Sequence, residues 1–138
     1  MFGMDRYNSS IDMSKGLDMM QGKTFAKVVA DGHEMLFETA DGERFVFGHD
    51  QDCCESVYIE DITGDIEDLV GEPLLLVEEV SGETPADFDP DAHDSYTWTF
   101  YKFATRKGYV DVRWLGESNG YYSERVDLFH AVAEGVTE

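Results

Sequence analysis

Lysine and arginine are absent between Arg44 and Lys102, a gap of 57 residues that holds sixteen carboxylates, from Asp50 through Asp94. Over the whole chain 10 basic residues face 30 acidic ones, for a formal charge of −20. Such a chain lacks the cations that neutralise phosphates, so direct nucleic-acid binding is disfavoured. Cysteine is also scarce. Cys53 and Cys54 are the only two; as neighbours they cannot staple distant segments, and a disulfide between them closes a strained ring. Two free thiols in a reducing cytosol are the expectation. No cationic n-region with an apolar run opens the sequence, and no apolar stretch reaches bilayer length. The chain therefore reads as a soluble, cytoplasmic protein of a bacterial cell, host- or virus-encoded. Its acidity has three readings: a solvated surface, adaptation to high salt, or mimicry of nucleic-acid charge toward a basic partner.

The 138 residues suffice for one domain with a proper core and not for two. Residues 1–22, rich in Met, Ser and Gly, read as a flexible arm with a helical turn near Leu17 to Met20, and residues 23–138 as a single β-rich domain. Asp31-Gly32 and Asp41-Gly42 each lie between apolar runs, and Asp-Gly tolerates the positive φ of tight hairpins. A three-stranded meander over 24–30, 34–39 and 43–48 follows. "SVYIEDI" reads as a fourth strand and "PLLLVEEV" as another. Between them "GDIEDLVG" is a short helix, capped by Asp65 and ended by Gly71 ahead of Pro73. Residues 83–95, with two prolines and no apolar period, form an acidic loop. Strands at 96–105, 108–115 and 121–127 complete the pattern, the last after an Asn119-Gly120 turn. The class is α+β, mostly β: an antiparallel meander, sandwich or half-barrel of about seven or eight strands with one short helix.

The stretch "FGHDQDCCESVYIED", Phe47 to Asp61, concentrates one histidine, five carboxylates and both cysteines. A regular strand from Cys53 would place Glu55 on the face shared by Val57 and Ile59. Either Glu55 is buried and partnered, or the strand starts near Ser56 and "DQDCCE" is a turn; the turn is favoured. It predicts Cys53 or Cys54 as a small packing residue and Asp52 or Glu55 accepting backbone hydrogen bonds. A metal site on His49, Cys53 and Cys54 meets no spacing rule and would have to recruit His33, His93 or His130. A Cys53 or Cys54 nucleophile with His49 as base is opposed by the surrounding carboxylates, which raise a thiol pKa. "DFDPDAHD" begins like a calcium loop, but Ala92 and Trp98 stand where that loop needs glycine and glutamate. No cofactor is expected. Trp98, Phe100, Val112 and Trp114 read as core. Tyr121 and Tyr122, adjacent in the expected strand, must face opposite ways, which leaves one exposed for contact.

Three strings, "GHDQDCCESVYIEDITGDIEDLVG", "TWTFYKFATRKGYVDVRW" and "GESNGYYSERV", resemble a family of small bacteriophage and prophage proteins of uncharacterised function, over about Lys23 to Val126. The resemblance implies a phage accessory protein outside the virion's main structural parts. It transfers no catalytic residue and favours proteins that bind host factors.

Two hypotheses follow. In the first, the chain binds and inhibits a host protein or defence complex, a basic nucleic-acid-binding one, through an acidic surface. Its candidate contacts are Asp50, Asp52, Glu55, Asp65, Asp68, Asp87, Asp89, Asp91, Asp94, Asn119, Tyr121 and Tyr122. In the second, it is a small metal-binding or thiol-dependent enzyme centred on His49 to Glu55, helped by Asn119. The composition implies no membrane partner, and a homodimer through a sheet edge stays open.

Overall fold

Each Asp-Gly pair makes the turn that its chemistry predicts. At the first, Asp31 Oδ1 accepts from the backbone N–H groups of His33 (2.9 Å) and Glu34 (2.8 Å), while Gly32 takes φ +98°. At the second, the backbone N–H of Glu43 donates to Thr39 Oγ1 (3.0 Å) and Gly42 takes φ +95°. The computed structural model describes residues 10–49, 51, 54–81, 95–120 and 122–132. Strands β1 (Lys27–Ala30), β2 (Met35–Glu38) and β3 (Arg44–Gly48) form the expected meander.

The later strands are β4 (Ser56–Thr63), β5 (Leu76–Ser81), β6 (Ser95–Thr105), β7 (Gly108–Ser118) and β8 (Asp127–Ala131). They complete two antiparallel four-stranded sheets, ordered β1-β2-β3-β8 and β4-β7-β6-β5. The strand expected at 121–127 is displaced: residues 122–126 are not strand, and β8 begins at Asp127 to pair with β3. The apolar alternation of Val126 and Leu128 is a strand signal, but its pairing partner lies in the other sheet.

The sheets face each other through aromatic rings. Phe37 meets Phe103 at a centroid distance of 4.9 Å, and Phe47 meets Tyr101 at 5.0 Å and Phe103 at 5.6 Å. Trp114, Val110 and Val112 extend this core within the second sheet, and Phe25 and Phe45 within the first sheet's half. Such edge-on and tilted rings fill a sandwich interior at high density. Of the four aromatic-strand residues expected as core, Trp114 and Val112 are buried there, whereas Trp98 and Phe100 are only half-buried. Register explains the difference, because Phe100 pairs with Arg113 and Trp98 with Leu115 on the sheet's outer face.

The segment expected as a loose arm is packed from Ile11 onward. The Ile11 N–H donates to the Leu128 carbonyl (2.8 Å). Helix α1 (Met13–Met20) is capped by Asp12, whose Oδ2 accepts from the Lys15 N–H (3.0 Å), and it buries Leu17 and Met20. Gly16 lies against the Leu128 side chain with no room for a Cβ. Here an amphipathic helix is held by tertiary burial rather than by a long apolar period. The short helix expected after β4 is a 3-10 helix, Ile66–Leu69, whose N-cap Asp65 accepts from the Glu67 N–H (3.0 Å). No helix among the described residues is long and apolar enough to cross a membrane.

Candidate functional site

Strand register gathers several chain segments at one end of the sandwich. Ser56 at the start of β4 pairs with Glu117, Ser95 at the start of β6 pairs with Ser118, and Gly48 at the end of β3 pairs with Asp127. Gly48, His49, Glu55, Ser56, Ser95, Glu117, Ser118 and Asp127 therefore share that end.

At its centre His49 and Glu55 form a buried pair. Their side chains are 4% and 0% exposed, with Nε2 to Oε2 at 2.5 Å. The other ring nitrogen, Nδ1, lies 2.8 Å from the Arg125 carbonyl oxygen and 3.9 Å from Asp127 Oδ2. A carbonyl only accepts, so Nδ1 carries a hydrogen; the Nε2 contact then needs one shared proton, as imidazolium with carboxylate or as imidazole with carboxylic acid. Asp127, itself buried, accepts from Arg125 Nε at 3.0 Å. Gln51 Nε2 donates to the Glu55 carbonyl at 2.6 Å. One histidine thus joins the end of β3, the start of β4 and the segment leading into β8.

Glu124 organises the adjacent corner. Its carboxylate accepts from Thr97 Oγ1 (2.8 Å) and Ser118 Oγ (2.5 Å), and its backbone leaves no room for a Cβ on Gly116. Burial acts to raise the Glu124 carboxyl, but hydrogen bonds from Ser118, Ser95 and Thr97 outweigh it and hold the group below its usual value. Glu43 is similar: burial opposes ionisation, and hydrogen bonds from His130 (2.8 Å) and Lys23 (3.1 Å) prevail. Nearby, Tyr58 Oη donates to Glu117 Oε2 at 2.9 Å, and burial followed by that carboxylate pushes the phenol up to about 12.

A depressed folded-state value means that Glu124 binds a proton less readily in the native chain than in the unfolded one. Its contribution is complete above the ordinary glutamate value of 4.5 and is lost as pH falls through the lower native value. Glu124→Gln should therefore lose less thermal stability than the parent on acidification from about pH 5 downward. Melting curves across that range check this, and parallel losses in the two proteins would refute it.

The turn reading of the opening motif holds for its boundary, since β4 starts at Ser56. It needs two corrections. Glu55 is buried with a side-chain partner rather than lying in a solvated turn, because the strand's inward face begins one residue before its first ladder pair. Cys54 is disulfide-bonded rather than the free thiol expected; it is also exposed, so the expected packing cysteine would be Cys53, which lies outside the described residues. The compartment argument reads the redox environment of a thiol and not the local backbone that sets how close two sulfurs lie.

Asn119, exposed, and Tyr122, half-buried, lie at the same end, although Tyr122 is not in a strand. Asp65 and Asp68 do not. The Asp68 carbonyl accepts from Thr105 Oγ1 (2.5 Å) at the far end of β6. That strand spans 11 residues, roughly 33 Å. Asp50, Asp52, Cys53, Asp87, Asp89, Asp91, Asp94 and Tyr121 lie outside the described residues. Among the described residues no three His, Cys, Asp or Glu side chains gather as a metal site. Sequence reasoning missed Glu124 and Asp127; the one available signal was a carboxylate set between the apolar pair Val126 and Leu128.

A family described as a domain of unknown function, DUF7448, matches residues 18–128. The chain belongs to that family. The DUF7448 match runs from within α1 into β8 and so takes in the pairings that build this end. No curated protein matches the chain, and no solved structure does.

Proposed function

We propose that this DUF7448 domain is a non-enzymatic binding protein of the bacteriophage accessory type, which engages and inhibits a basic host protein by presenting an acidic end in place of nucleic acid. The supporting observation is the register. It brings Ser95, which directly follows residues 82–94 with their five carboxylates and no lysine or arginine, to the end that holds Glu117 and Glu124. Like charge concentrated at one end of a domain focuses a field that speeds encounter with a basic surface. The thiol-enzyme reading has less support, since Cys54 is not a thiolate and both His49 nitrogens are engaged.

Capture from a bacterial lysate at two salt concentrations, followed by association kinetics on the captured protein, tests this. Replacing Asp87, Asp89, Asp91 and Asp94 by asparagine should slow association about tenfold at low salt and flatten its salt dependence. The Asp65→Asn/Asp68→Asn variant, altered at the opposite end, should match the parent. An unchanged rate in the four-residue variant, or no specific partner at either salt, removes the reading.

A further inference from the structure

His49 ties three chain segments together through one proton. Its Nδ1–H donates to the Arg125 carbonyl (2.8 Å), so Nε2 and Glu55 Oε2, 2.5 Å apart, share the single remaining hydrogen. Both side chains are buried, and neither atom can turn to water instead. Removing that hydrogen would set an imidazole lone pair against a carboxylate lone pair at contact distance, in a site too dry to screen them. Adding one is tolerated. An imidazolium still donates to a neutral Glu55, and Asp127 Oδ2, 3.9 Å from Nδ1, stands by as its counter-charge.

Among the described residues, the other ionisable groups around the pair supply no replacement proton. Asp127, on β8, is buried and accepts from Arg125 Nε (3.0 Å), and that guanidinium keeps its charge throughout. Tyr101, on β6, is buried with its Oη donating to Glu79 Oε2 (2.6 Å); burial followed by that carboxylate pushes the phenol up. Glu34, ahead of β2, lies against Gly48 as a further carboxyl. Cys54, beside Glu55, is disulfide-bonded and does not titrate.

We infer that His49 and Glu55 form a pH-sensitive latch, which holds the end of β3, the start of β4 and the entry to β8 together while the shared proton is present and releases them as pH rises. Above the ordinary histidine value of about 6.5, the unfolded chain carries one hydrogen fewer on this pair than the latched fold does. The latch's contribution to stability therefore falls with rising pH. It does so whatever the acidic end binds.

Glu55→Gln separates the contact from the proton, because the amide N–H can donate to a neutral Nε2 while Nδ1–H keeps the Arg125 carbonyl. Urea unfolding of both full chains from about pH 6 to about pH 9 tests the inference. The parent's unfolding constant should climb relative to the variant's by about tenfold per pH unit, the slope of one released proton. Amide spectra of the parent give a second reading: Gly48, Glu55, Ser56, Arg125 and Asp127 should shift with one common midpoint, and Phe37 and Phe103 should stay in place. Parallel pH profiles for parent and Glu55→Gln would overturn the latch. Unrelated midpoints, or no movement, at those five amides would overturn it as well, and that reading decides the matter should Glu55→Gln fail to fold.

Discussion

Glu55→Ala should destabilise the domain by about 3–5 kcal/mol, the usual cost of removing one member of a buried hydrogen-bonded ionisable pair. His49 would be left with a ring nitrogen facing a pocket that neither water nor another acceptor fills, because its side chain is 4% exposed. The same loss should not recur when both partners go. His49→Ala/Glu55→Ala should fall short of the sum of the two single changes by about 1–3 kcal/mol, the coupling range for residues in direct contact. Urea unfolding of the four proteins measures this cycle. Strict additivity would show that the 2.5 Å contact is geometric company and not an energetic tie between β3 and β4.

Phe103→Ala should cost about 3–5 kcal/mol, since it deletes a large buried ring and leaves a cavity that rigid neighbours cannot fill. Phe103 touches two rings of the facing sheet: it lies 4.9 Å from Phe37 and 5.6 Å from Phe47, both in the first sheet, and 6.4 Å from Tyr101 on its own strand. Phe100→Ala, on the outer face of the same strand, should cost far less, within about 1.5 kcal/mol, because the site is half-buried and open to solvent. A fall in the urea midpoint for Phe103→Ala no larger than for Phe100→Ala would contradict the assignment of the inner face.

The contrast between these two phenylalanines marks what a sequence can tell. "YTWTFYKFAT" carries aromatics on both phases, Tyr96, Trp98 and Phe100 on one and Tyr101 and Phe103 on the other, so alternation identifies a strand but does not say which phase points inward. Register against β7 decides it, and Trp98 and Phe100 turn outward. The turns were legible for the opposite reason. Asp31-Gly32 and Asp41-Gly42 act locally: the aspartate bonds its own backbone and the glycine accepts a positive φ, whatever the rest of the chain does. The N-cap at Asp65 was legible on the same ground.

The chain's acidity, its meander and its antiparallel β class were therefore written in composition and short-range pattern. Contacts across long sequence separations were not. His49 meets the Arg125 carbonyl 76 residues away, and Ile11 meets the Leu128 carbonyl across nearly the whole chain. Neither partner carries a local mark of the other, because a backbone carbonyl looks the same at every position. The separation of Asp65 and Asp68 from the acidic end follows instead from a legible strand: β4, Ser56–Thr63, lies between them and the His49–Glu55 motif and carries the chain to the opposite end of the sheet. Local chemistry determined which segments would be strands and turns. Only the pairing of β3 with β8 and of β7 with β4 and β6 decided which carboxylates would share a surface.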